Sequence, residues 1–318
     1  MRFPIAFTTT LFAGATALAA TPALSATTEV VTSIKPLELL TRAIVTDNTQ
    51  VTSLVPAGAS PHTYQMRPSQ RRTLETADRI FWVGPDMETF LVRLLSSSEF
   101  EGRQVALMPE EHRTGGDTDE EDNHDDHDRH EEEADHHDAH DHSDGEDPHI
   151  WLDPQLALAM THTIRNQLAQ LPEANADALD NNLTRFEHQL EATEQDIRQK
   201  LQAAKGISLF TYHDAFRRFA EHYDLTIAGV LTLNPERPPG ARHMAELQDQ
   251  LRNSPSPCLL TEPQFNRQWW HSITQGIDIR LATWDPLASD IEANASGYLL
   301  FQQSMADAVL ACLPEQAQ

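Results

Sequence analysis

The sequence predicts an α/β protein built from two similar (βα) lobes, joined by one long rigid helix, with a metal site in the cleft between the lobes. Three observations lead there. Short apolar runs alternate with helical patterns, the signature of parallel βα units. This alternation occurs twice, once on each side of a long amphipathic stretch. Metal-capable side chains follow the expected strands in both halves, where ligands of open parallel sheets bind.

The first element is a leader. Arg2 supplies a positive start, Ile5 to Ala20 is apolar or small, and small residues around Ser25 and Ala26 offer a cleavage site. Residues 1–26 therefore read as a secretory signal peptide, with the mature chain starting near Thr27. Beyond it no apolar run approaches membrane-spanning length, so the product is expected to be exported and soluble, most simply in a periplasm.

In the first lobe, residues 27–153, strands are expected at Val30–Ile34, Val51–Val55, Ile80–Val83 and Val105–Leu107. Helices are expected at Leu37–Ile44, Pro68–Ala77 and Met87–Leu95, with Pro68 suited to a first helical turn. A loop at about 113–147 interrupts this lobe. From Asp117 to Asp147 it holds 17 acidic residues and seven histidines against a single cation, Arg129. It carries 16 of the chain's net 26 negative charges, which leaves the remainder only moderately acidic. With no large apolar side chain to offset its ordering entropy, the segment should be disordered.

Its histidines give it a chemistry. His124, His127, His130, His136, His137, His140 and His142 interleave with carboxylates, an arrangement from which a flexible chain can gather ligands for divalent metal. Capture should weaken in acid, because imidazole binds metal only when deprotonated.

Residues 154–205 read as helices. From about Ala174 to Ala204 there is no Gly or Pro, and Leu179, Leu183, Phe186, Leu190, Ile197 and Leu201 fall at steps of three, four and seven. One helix of roughly 30 residues would span about 45 Å and restrict lobe motion. The second lobe, residues 206–318, repeats the style of the first. Strands are expected at Ile207–Thr211, Thr226–Leu231, Cys258–Thr261 and Ile279–Thr283, with helices near Ala215, Ala241, Arg267 and Tyr298. Cys258 and Cys312 are the only cysteines. In an oxidising compartment such a pair favours a disulfide, closing a 54-residue loop, over two separately buried thiols.

Four metal-capable side chains fall just after strands. His62 lies in PAGASPHTYQMRP, His149 opens HIWLDP, His213 follows ISLFTY, and Asp285 sits in TWDPL. Three imidazoles and a carboxylate form a four-coordinate set suited to zinc, and water can replace the carboxylate. Asp285, which precedes Pro286, can equally cap a turn. Glu262 lies at a strand end, placed either to orient a ligand histidine by hydrogen bonding or to cap the next turn. Trp269 and Trp270 read as packing residues. His112, His162, His188, His222, His243 and His271 are scattered and read as surface or satisfied side chains.

The stretches VTSIKPL, GASPHTYQMRPS, HIWLDP, YHDAFRRF, TEPQF and WDPL occur in that order, with the His/Asp-rich insert between the second and third. Together they resemble the solute-binding component of bacterial high-affinity zinc uptake ABC transporters, the ZnuA type, over nearly the whole mature chain. The resemblance implies a periplasmic, monomeric receptor that takes Zn(II) as transported ligand and delivers it to an inner-membrane permease driven by a cytoplasmic ATPase. The family's ligand positions match His62, His149 and His213, and its C-terminal disulfide maps onto Cys258 and Cys312. Related manganese and iron receptors carry a carboxylate at the third place, so His213 points to zinc. Zinc receptors of this kind can have a Glu before the first loop histidine. Here Pro61 stands there, which leaves Asp285 or water as the fourth ligand.

Other classes are less well served. A nucleic-acid partner conflicts with the charge. An enzyme would need more than three histidines, and the chain has no HExxH helix, no nucleophile elbow and no GxxxxGK loop. Two alternatives stay open: a periplasmic metal buffer or chaperone in which the insert is the active part, and a receptor for Mn or Fe.

Overall fold

A computed structural model describes residues 27–109, 147–232, 240–265 and 268–314. The expected leader, and the insert up to residue 146 with its seven histidines, lie outside the described residues. The first half forms a parallel sheet from β1 (Thr28–Thr32), β2 (Thr49–Ser53), β3 (Arg79–Trp82) and β4 (Gln104–Ala106), in the order β2-β1-β3-β4. The second half repeats that order with β5 (Ser208–His213), β6 (Ile227–Thr232), β7 (Pro257–Thr261) and β8 (Arg280–Thr283), as β6-β5-β7-β8. All eight expected strands are present, shifted by one or two residues. Every strand pairing is parallel, so each lobe gathers its loops at one carboxyl edge.

Helices α1 (Lys35–Ile44), α2 (Pro68–Thr76) and α3 (Thr89–Leu95) belong to the first half. Two helices then lead to the second half: α4 (Pro154–Leu168) and α5 (Ala176–Leu201). Asp153 starts α4, its carboxylate accepting from the amides of Gln155 (2.7 Å) and Leu156 (3.1 Å), ahead of Pro154 in the first turn. Asn175 caps α5 through the amide of Ala178 at 3.1 Å. α5 runs 26 residues, shorter than the expected stretch because its last residues tighten into a 3-10 turn at Gln202–Ala204. All six apolar positions read from its sequence are buried, with Thr193 beside them. The second half contributes α6 (Arg217–His222), α7 (Ala241–Asn253), α8 (Gln268–Thr274) and α9 (Gly297–Leu310).

One apolar cluster runs through both halves, from Leu39 and Leu40 on α1, through Leu183 and Phe186 on α5, to Tyr298 and Phe301 on α9. Asn182 on α5 reinforces it by donating to the carbonyls of Ile44 (2.9 Å) and Val45 (3.2 Å) at the end of α1. Gly297 allows the close approach of α9 to α1. A Cβ there would lie 2.8 Å from Leu39 and 2.7 Å from the Glu292 carbonyl, so no larger residue fits without movement. Smaller clusters fill the outer faces of the sheets, and Trp270 is buried in the second of them. Cys258 on β7 and Cys312, just past α9, form a disulfide with Cα atoms 5.8 Å apart. By the chain-entropy relation, closing a loop of this length contributes about 4 kcal/mol.

A polar knot ties α6 to both connecting helices. The ring of His222 lies 3.6 Å from Asp153 and 3.5 Å from Glu194 on α5. Burial opposes charge on this imidazole, but hydrogen bonds and attraction from the two carboxylates outweigh it and push its pKa up to about 9. A raised folded pKa contributes stability in full below the unfolded value near 6.5 and loses it as pH climbs through 9. We expect His222→Gln to lower the thermal midpoint clearly at pH 6 and hardly at all at pH 10, read by calorimetry at both values.

Candidate metal centre

The carboxyl edges of the two sheets face a common cleft, and three imidazoles meet there. His62 arrives on the loop that follows β2, and His149 stands just before the helical turn Ile150–Leu152 that leads into α4. His213 is the last residue of β5. Each offers one ring nitrogen to a group whose members all lie within 4.8 Å of one another. His149 and His213 are buried and His62 is half-buried. Apolar side chains, including Trp151, Phe265 and Leu287, line the same cavity. Phe265 packs its ring edge-on against His213, with centroids 5.5 Å apart.

Carboxylates fix the direction of two rings. Glu262, immediately past β7 and only 2% exposed, lies 2.7 Å from Nδ1 of His213. Asp147 lies 2.6 Å from Nδ1 of His149 and accepts from the His149 amide at 3.0 Å. With Nδ1–H donating to a carboxylate in each case, the Nε2 lone pairs are left to point into the cleft. Those two Nε2 atoms are 3.4 Å apart. Two lone pairs at that distance repel unless a cation, a proton or a metal, lies between them. Tetrahedral zinc with nitrogen bonds of 2.0 to 2.1 Å would set its ligand nitrogens about 3.3 Å apart, so the spacing fits.

The electrostatics divide the trio. Burial and the neighbouring His149 and His213 push the pKa of His62 down to about 3, so it is a neutral donor at all ordinary pH. For His213 burial also opposes charge, but the Glu262 carboxylate prevails and its pKa is raised. Between these two rings, protons therefore compete with metal at His213 and not at His62. Asp147 is held below the usual carboxylate range: burial acts against this, but its bonds from His149 and the charge of Arg218 dominate.

Asp285 has a different position from the one expected of a fourth ligand. It is not among the clustered groups, and its oxygens are taken up by the Gln264 amide (2.5 Å), the Leu287 N–H (3.0 Å) and the Ser289 N–H (2.7 Å). It closes the turn through Pro286, as an Asp before a Pro commonly does. Asp147, read from sequence only as the end of a disordered insert, is instead ordered beside His149. The signal was present, an Asp two residues before a candidate ligand in DPHIW, but the composition of the preceding stretch concealed it. The scattered histidines stay outside the centre: His162 faces Glu187 and His243 faces the Val230 carbonyl, while His112 lies outside the described residues.

Comparison with known proteins places nearly the whole described chain in a family. The sequence matches the family described as ZnuA, "Zinc-uptake complex component A periplasmic", over residues 30–312. It is 36% identical to the high-affinity zinc uptake system protein ZnuA of Yersinia pestis, over 93% of this chain and 94% of that one. The Haemophilus ducreyi protein of the same name is also 36% identical, over 91% and 94%. Among solved structures, a ZnuA crystal structure superposes with a TM-score of 0.67 at 23% identity, covering 89% of this chain and 99% of that one. The periplasmic zinc binding protein TroA of Treponema pallidum gives 0.69 at 17% identity, covering 91% and 100%. At these identities the structures establish a common two-lobe α/β fold.

The role of Glu262 can be tested without metal. Glu262→Gln removes the charge that favours the His213 imidazolium, so His213 should release its proton at a lower pH in the variant. An NMR titration of the metal-free proteins reads this directly, and an unshifted His213 would show that the carboxylate does not govern the ring.

Proposed function

We propose, on the premise that this chain belongs to the ZnuA family of periplasmic zinc-uptake complex components, that it is the receptor of a zinc-uptake ABC transporter. Zn(II) is its cargo, held by His62, His149 and His213 with water as the fourth ligand, and the protein binds and delivers the ion without chemical change. The observation that carries this reading is the convergence of three imidazole nitrogens, from positions far apart in the chain, within 4.8 Å. Nitrogen donors suit zinc better than manganese, whose sites are richer in carboxylate, and the carboxylate that could have joined them, Asp285, closes a turn instead.

The rest of the reading follows from the family and the sequence. Residues 1–26 direct export to the periplasm and are removed. The receptor acts as a monomer and passes zinc to an inner-membrane permease that a cytoplasmic ATPase drives. The acidic histidine-rich insert gathers zinc weakly and raises its concentration near the cleft, with a gain set by the length of its tether.

Single replacements His62→Ala, His149→Ala and His213→Ala should each weaken zinc binding by orders of magnitude while leaving the far-ultraviolet circular dichroism unchanged. An unaltered titration against a competing chelator would refute the ligand assignment. In the wild type, affinity should fall as pH drops, because zinc must displace a proton from His213, whereas His62 stays neutral down to about 3.

Removing residues 117–144 separates receptor from buffer. The deletion spares Asp147, so one tight zinc site should remain and only the weaker, multiple sites should vanish from a calorimetric titration. Loss of the tight site would mean that the insert itself is the binding element.

A further inference from the structure

No strand fixes His149. It stands between the insert and a short helical turn, and its placement rests on neighbouring side chains. Asp147 supplies the nearest contacts, accepting from both the amide and Nδ1 of His149. A carboxylate that aims a ring must itself be held, and the holding group comes from the other half of the chain. Arg218, on α6, donates Nε to the main-chain carbonyl of Asp147 at 2.8 Å, and its Nη2 reaches the same oxygen. The same Nε lies 3.6 Å from Oδ2 of Asp147, with both side chains largely buried. Arg218 lies five residues beyond His213 on the segment that continues from β5.

We propose that Asp147 and Arg218 are positioning residues of the metal site: Asp147 aims His149, and Arg218 fastens Asp147 to the segment that carries His213. This rests on the assignment of the three histidines as zinc ligands. His149 and His213 then form a pair set on one frame before the ion arrives, held 3.4 Å apart at Nε2. His62 comes from a separate loop of the first half and completes the site. Outer groups that orient a metal-bound histidine typically influence affinity 10- to 100-fold, and here the pair would act chiefly by slowing release.

The test uses the full mature chain and zinc alone as probe, with affinity measured against a chelator strong enough to ignore weak sites. Release is followed by stopped flow into excess chelator, and thermal midpoints are taken without metal. Asp147→Ala should weaken zinc binding about 10- to 100-fold through faster release, with the metal-free midpoint little changed. Asp147→Asn, which keeps an acceptor for Nδ1–H, should restore most of that loss. Arg218→Gln should lose less than Asp147→Ala, and the double variant should lose less than the product of the two single effects. The His149 Nδ1–H resonance of the zinc-loaded wild type should disappear in Asp147→Ala.

A wild-type release rate in Asp147→Ala, or strictly multiplicative effects in the double variant, would overturn the proposal. So would an affinity loss matched by a drop in the metal-free midpoint and not rescued by Asn. His149→Ala serves as the control on the premise. If it binds zinc normally, the ligand assignment fails; if it loses zinc while Asp147→Ala does not, only the positioning role fails.

Discussion

The apolar seam of α1, α5 and α9 packs the two halves together, and the three imidazoles of the candidate centre meet only at the separation it sets. Zinc–nitrogen bonds are confined to a few tenths of an ångström, so a slip of one ångström between the halves would dissolve the site. Histidine loops cannot enforce such a tolerance, but a packed interior can. Each fully buried Leu or Phe of the seam contributes roughly 1.5 to 3 kcal/mol, and close packing resists displacement in either direction. Polar pins carry the register from the seam to the site. Tyr298 on α9 donates to the Trp151 carbonyl at 2.8 Å, and the Trp151 indole donates to the Pro286 carbonyl at 2.7 Å. Trp151 lies two residues from His149.

Within that frame each lobe buries a carboxylate near the carboxyl edge of its sheet, and the two are used differently. At the start of α3, six residues past β3, the buried carboxylate of Glu88 accepts from Ser33, just after β1, and from the amides of Val83 and Gly84 at 3.1 and 3.0 Å. Just beyond β7, the buried carboxylate of Glu262 engages His213, at the end of β5. The first arrangement joins loops to one another and is closed. In the second the partner ring has a further nitrogen, 3.4 Å from that of His149 in the cleft. Burial drives the pKa of Glu88 up to about 7, since its hydrogen bonds only partly compensate for lost water.

Much of this was legible in the sequence because it depends on local pattern. Parallel strands announce themselves as short apolar runs, and α5 through the spacing of Leu179, Leu183, Phe186, Leu190, Ile197 and Leu201. His62 and His213 were legible as candidates because ligands in such sheets gather past strand ends, a rule of topology, and His149 because it opens HIWLDP after the insert. The rule says which residues reach the edge, not which way they turn there. Asp285 reaches it and turns back to cap its own loop, its carboxylate taken up by the Gln264 amide and by the N–H groups two and four residues ahead. Asp147 was concealed for the opposite reason: its carbonyl accepts from Arg218, 71 residues later, and no local pattern reports a contact of that range.

His62 and His149 stand outside the strands, whereas His213 ends β5. Two of the three donors are therefore separable from the frame, and the third belongs to it. An exchange at His62 alone, a position outside the apolar clusters, alters one donor while the seam that sets the frame keeps its residues. In such a scaffold the donor set can drift at its loop without a change in the interior that holds it.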